Sequence, residues 1–161
     1  MRTDVVRGGA GMSIAVQMIG AFIASVTLSI LFEIPKQHIF IDGMIGALGW
    51  GCYLGVSRLQ NVAVAAFCAA FTVAVLANLM ARLRRAPATV FTIPGLLTLV
   101  PGASVYRMVY AVTQGNSENT RYYLMETLQI SGMIAFAILI AESIFKVVSL
   151  ISQKHHQKSV K

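Results

Sequence analysis

Long uncharged runs alternate with short polar joints along this chain, and each run is close to the length that crosses a bilayer. A spanning helix takes about 20 mainly apolar residues. Five stretches approach that: 12–32, 39–56, 62–81, 88–112 and 123–151, the last most apolar between Leu128 and Phe145. The joints, 33–38, 57–61, 82–87 and 113–121, leave no room for a soluble domain. The pattern predicts an all-α fold, a polytopic membrane helix bundle of about five spans forming a single integral membrane domain over 1–161. The first run follows Arg2 and Arg7, as a secretory leader would. It exceeds a leader's apolar core of about 7–15 residues and no small-x-small cleavage site follows, so it reads as a retained span.

Small residues are spaced to let helices approach. Gly43, Ala47, Gly51 and Gly55 recur every four residues on one face of the second span, and Gly46 and Gly49 widen it. Ala66, Ala70, Ala74 and Ala77 form a similar stripe on the third. Such stripes supply close van der Waals packing where lipid removes the hydrophobic drive between helices. Packing within the chain is the simpler expectation; a subunit interface is the alternative.

The fourth run breaks the pattern. Pro94-Gly95 and Pro101-Gly102 stand seven residues apart inside it, so the fourth span is expected to be broken by two Pro-Gly pairs. Proline removes a backbone donor and its ring clashes with the preceding turn. Glycine permits dihedrals closed to other residues. Freed backbone groups at bilayer depth persist only when buried in protein or facing a water-filled cavity. Half-helix ends of this kind build substrate and ion sites in transporters.

Charge supplies an orientation. Only 12% of residues are charged while 57% are hydrophobic, and the net charge is +7. No polar face interleaves basic and aromatic residues, so nucleic acid is not an expected partner. Arg82, Arg84 and Arg85 crowd one joint, and Lys154, Lys158 and Lys161 form a basic tail with His155 and His156. The positive-inside rule assigns both to the cytoplasm. Five crossings put them on one side, whereas a re-entrant fourth segment would separate them, so charge favours five crossings and a cytoplasmic C-terminus. Arg2 and Arg7, offset by Asp4, oppose this weakly. Cys52 and Cys68 lie inside apolar runs without histidine partners and read as packing residues, with no metal site and no cofactor expected.

The run Ala81-Arg-Leu-Arg-Arg-Ala-Pro-Ala-Thr-Val-Phe-Thr-Ile-Pro-Gly, then Leu-Val-Pro-Gly and Tyr106, resembles the signature of the threonine/serine exporter (ThrE) family. The likeness is to its short, YjjB-like subunit, which corresponds to the C-terminal half of fused members. It covers most of the chain, including Gly46, Gly49 and Trp50. The family often has a further proline where this chain has Thr98. The resemblance implies a secondary exporter in the bacterial cell (inner) membrane. Its implied cargo is threonine and serine, or succinate-like dicarboxylates. It also implies a longer membrane partner of the same family, and the odd span number suits pairing as an inverted repeat.

Arg107, just past the second break, suits a bidentate carboxylate contact, with snorkelling to the interface as the alternative. Pro94, Gly95, Pro101, Gly102 and Tyr106 shape the broken segment, and Asn78 and Thr92 are polar liners or interhelical hydrogen-bond donors. Glu142 and Glu126 are candidate coupling carboxylates. Glu142 stands four residues before Lys146, where an ion pair is the plainer role, and Glu126 is within reach of Arg121 or Arg107. Asp42 is expected to open the second span, where negative charge suits a helix N-terminus. Arg82 and Arg85 resemble the family's basic loop before Pro87; they set orientation and can draw in an anionic substrate. No nucleophile–base pair or nucleotide loop supports an enzyme. The competing reading is a non-catalytic scaffold subunit that stabilises a larger membrane partner.

Overall fold

A computed structural model describes residues 13–158, and side chains as far as 148. Arg2, Asp4, Arg7, Met12 and Lys161 lie outside the described residues, as do the side chains of Lys154, His155, His156 and Lys158. The described residues are helical with short joints: α1 Ile14–Leu31, α2 Lys36–Ser57, α3 Val62–Arg84, α4 Ala88–Leu97, α5 Gly102–Thr113 and α6 Ser117–Lys158. Four of these are long and apolar enough to span a membrane by themselves, and α4 with α5 makes a fifth candidate bent by 47°. This is the expected membrane helix bundle.

Three helix ends share one device. Glu33 (φ 55°), Arg85 (φ 54°) and Gly115 (φ 67°) each take the left-handed conformation after a helix. The next N–H then donates five residues back: Ile34 to Ser29, Ala86 to Ala81 and Asn116 to Ala111. This satisfies carbonyls that the helix end leaves open. Asn116 then caps α6 by accepting from the Asn119 N–H at 3.0 Å.

α3 is the central post. It packs against α2, α4 and α6, while α1 lies on α2 and α5 on α6. Its alanines allow this: Ala66, Ala70, Ala74 and Ala77 are all buried, with Ala65, Ala69 and Ala81 beside them. The α2 glycines are used unevenly. Gly43, Gly46 and Gly49 are buried in contacts with α1 or α3, whereas a Cβ on Gly55 would meet nothing within 4 Å. Large side chains turn outward instead, among them Ile19, Ile23, Leu128, Phe136 and Leu139. That arrangement suits lipid, where packing rather than apolar burial holds helices together.

α3 and α6 run in the same direction. Near the end of α3, Arg82 Nη2 donates to the Phe145 carbonyl of α6 at 2.7 Å. At its start, Val62 lines a cavity with Glu126 and Ile130 of α6. The chain must therefore return from one end of the bundle to the other between Arg84 and Ser117, and α4–α5 makes that return.

The structure differs from the sequence reading at two places. The break lies at the second Pro-Gly pair alone. Pro94 sits inside α4, where it and Gly95 are buried. Gly95 serves close approach rather than unusual dihedrals: a Cβ there would stand 2.8 Å from Val73 Cγ1 and 3.3 Å from Ile45 Cγ2. Packing against α2 and α3 holds α4 helical across the donor that Pro94 lacks. The second difference is Asp42. With Pro35 as its N-cap, α2 begins at Lys36, so Asp42 lies in the second turn and is fully buried.

Candidate functional site: the cavity at the break

Thr98 ends α4, its hydroxyl donating to the Gly95 carbonyl at 2.7 Å. Pro101 (φ −75°, ψ 54°) is the N-cap residue of α5. The Gly102 N–H donates across it to the Val100 carbonyl at 2.7 Å, an inverse γ-turn that redirects the chain. This is the local cause of the bend.

The bend opens a cavity of about 150 Å³ on its inner side. Leu99, Val100, Pro101, Gly102, Ala103 and Ser104 form one wall; Trp50 and Tyr53 of α2, Val62 of α3, and Glu126 and Ile130 of α6 form the rest. Ser104 is buried, and its hydroxyl donates to Glu126 Oε2 at 3.0 Å. Trp50 and Tyr53 stack at 5.1 Å between centroids. The first turn of α5 opens here, bringing the positive end of the helix dipole to the cavity. Among the described residues, no Lys, Arg or His lines it. A second hollow, about 280 Å³, lies by the same break and is lined by Trp50, Thr98 and α1 residues including Gly20 and Ala24. Trp50 borders both.

The sequence-derived candidates divide into groups. Pro101, Gly102 and Glu126 meet in the cavity. Pro94 and Gly95 are buried within α4 and do not line it. Arg107 is half-buried on α5, its guanidinium 6.0 Å from the Tyr123 ring centroid, and it does not line the cavity. Tyr106 is 71% exposed and stacks on Tyr110. Thr92 and Asn78 donate to the carbonyls of Ala88 and Ala74 one turn back, each at 2.9 Å. Arg82 sits 5.0 Å over the Phe145 ring at the opposite end, and Arg85 is the left-handed cap of α3. Glu142 is exposed on the outer face of α6, one turn from exposed Lys146. Glu126 meets Ser104 rather than Arg121 or Arg107.

Tyr53 and Ser104 were not singled out from sequence, and Trp50 entered only through the family likeness. Ser104 had one local signal, its place in the first turn after Pro101-Gly102. The aromatic pair had none, because its relevance depends on α2 facing the break.

The sequence model of a family described as Threonine/Serine exporter, ThrE, matches residues 17–144. The chain is 30% identical over 110 residues to a probable threonine/serine exporter of Mycobacterium tuberculosis (strain ATCC 25618 / H37Rv). That match covers 68% of this chain and 21% of the relative, so the chain spans about a fifth of that protein's length. No solved structure matches.

Proposed function

The chain belongs to the threonine/serine exporter family, and from that membership and the cavity at the break we propose that it forms part of a secondary exporter of small amino acids, with threonine and serine as cargo. The observation that carries this is the pairing of Glu126 with the α5 N-terminus in one cavity. An amino acid presents a carboxylate and an ammonium. The α5 N-terminus suits the first. Glu126 suits the second, helped by the faces of Trp50 and Tyr53. Ser104, already bound to Glu126, is positioned to take a substrate hydroxyl.

This arrangement favours a zwitterion over a dicarboxylate. A second carboxylate would meet Glu126 with no cation lining the cavity to offset the repulsion. Succinate-like cargo is therefore the weaker candidate. The chain acts as a five-crossing unit, with Arg82 and Arg85 on the cytoplasmic side and the cavity nearer the outer side. It works with a longer membrane subunit of the same family, as its match to a fifth of a longer relative suggests. Arg107 serves as an outer-end anchor over Tyr123 rather than as the carboxylate ligand.

The test is efflux from a host strain that lacks this chain and is then re-supplied with variants. Glu126→Gln is expected to lower threonine efflux about tenfold or more, since a hydrogen bond to a charged group is worth about 1.5–3 kcal/mol. Arg107→Lys is expected to leave it near wild type. Undiminished efflux in the first variant would show that the cavity is not the substrate site.

A further inference from the structure

At the opposite end of α2 lies a second polar cluster, outside the cavity. Asp42 is completely buried, as are Ser25 and Ser29 of α1, and His38 is 5% exposed one turn before Asp42. Gly46 lets α1 come this close: a Cβ there would stand 2.7 Å from Ser25 Cβ. Ser25 Oγ donates to the Asp42 backbone carbonyl at 2.9 Å. Ser29 Oγ lies 2.9 Å from the Ser25 carbonyl and 2.9 Å from Asp42 Oδ2. Among the described residues, Asp42 Oδ1 and His38 Nδ1 are buried without a hydrogen-bond partner.

Ser29 has one hydroxyl hydrogen but two short oxygen contacts. If it donates to the Ser25 carbonyl, the contact with Asp42 needs a hydrogen of its own. The acid form of Asp42 supplies it, giving an unbroken chain from Oδ2–H to Ser29 Oγ–H to the Ser25 carbonyl.

The surroundings agree. α1 and α4 carry no ionisable side chain. α3 carries Cys68 and, at its end, Arg82 and Arg84, with Arg82 held by the Phe145 carbonyl. On α2 the other titratable groups are Lys36, His38, Cys52 and Tyr53. Among the described residues Asp42 pairs with none of them: Oδ2 bonds to Ser29 and Oδ1 has no hydrogen-bond partner. A carboxylate buried without a countercharge is strongly disfavoured, and ionisable groups inside membranes mark proton and ion pathways.

We infer that Asp42 is a proton-carrying site of this protein, occluded by Ser25 and Ser29 and exchanging with the aqueous phase through His38. The coupling role rests on the exporter reading above; the proton site itself does not. His38 Nε2 accepts from the Gln37 amide at 3.2 Å, so Nδ1 bears the imidazole hydrogen at rest. When α1 and α2 separate and that contact breaks, water shifts the hydrogen from Nδ1 to Nε2, the Asp42 Oδ2–H proton passes to Nδ1, and the Nε2 proton leaves to water. His38 stands between Asp42 and the start of α2, edge-on to Phe91 with centroids 5.1 Å apart, which holds the ring in place. Glu142, exposed on α6, and Glu126, committed to the cavity, lack this enclosed setting.

Two measurements test it. Infrared difference spectroscopy of the purified full chain at neutral pH is expected to show a protonated carboxylic acid carbonyl band that Asp42→Asn abolishes and Ser29→Ala shifts. In the re-supplied strain, Asp42→Asn is expected to cut efflux against a threonine gradient about tenfold or more, while exchange of threonine at equal concentrations persists. Glu126→Gln is expected to impair both. A wild-type chain without the acid band, or an Asp42→Asn variant with full uphill efflux, would overturn the inference. An intact band in a chain that moves no amino acid would sustain the proton site and defeat the exporter reading instead.

Discussion

Val73 shows how single residues set this bundle. It is fully buried on α3, and the glycines that face it, Gly49 on α2 and Gly95 on α4, have no room for a Cβ beside its methyls. Overpacking of this kind costs about 1–3 kcal/mol. Gly95→Ala and Gly49→Ala are each expected to lower the thermal unfolding midpoint in detergent. Gly55→Ala, at a position with nothing within 4 Å, is expected to leave it unchanged or raise it, since alanine is the better helix former. Equal midpoints for Gly95→Ala and Gly55→Ala would show that this crossing is looser than described. Sequence made the small-residue stripes visible but not which glycines carry contacts. Outside and inside are both apolar for a membrane helix, so no polar face marks the direction of burial. Asp42 escaped for a related reason. Its burial follows from where α2 begins and from two serines on α1, neither of which spacing along α2 reveals.

At the level of elements, the two Pro-Gly pairs look alike in sequence and do different work. Pro94 is enclosed within α4, where packing against α2 and α3 keeps the helix intact. Pro101 is half-buried at the cavity and turns the chain, so the break falls between Leu97 and Gly102. Pro94→Ala regains a backbone donor, and efflux is expected to stay near wild type. Pro101→Ala removes the residue that fixes the turn, lets α4 and α5 move toward one continuous helix, and is expected to lower efflux. The reverse order of effects would transfer the functional break to Pro94. That the fourth run is interrupted was legible from proline chemistry alone. That one interruption opens a cavity was not, because Trp50, Tyr53, Val62 and Glu126 reach it from three other helices.

For the molecule as a whole, the parallel course of α3 and α6 makes α4–α5 the return between them, and with the four longer helices this gives five candidate crossings among the described residues, an odd number. Such a unit suits a partner of opposite orientation, with substrate held near the meeting plane. Cysteines introduced at Arg84 and in the tail are expected to react with an impermeant thiol reagent from the same face of the membrane, and one at Asn116 from the other. Labelling of Arg84 and the tail from opposite faces would contradict the five-pass arrangement. Threonine efflux by Glu126→Gln, set beside Glu142→Gln at matched membrane abundance, reports most directly on the cavity. Efflux lost in the first variant and kept in the second is the result this structure predicts; full efflux in Glu126→Gln would contradict it.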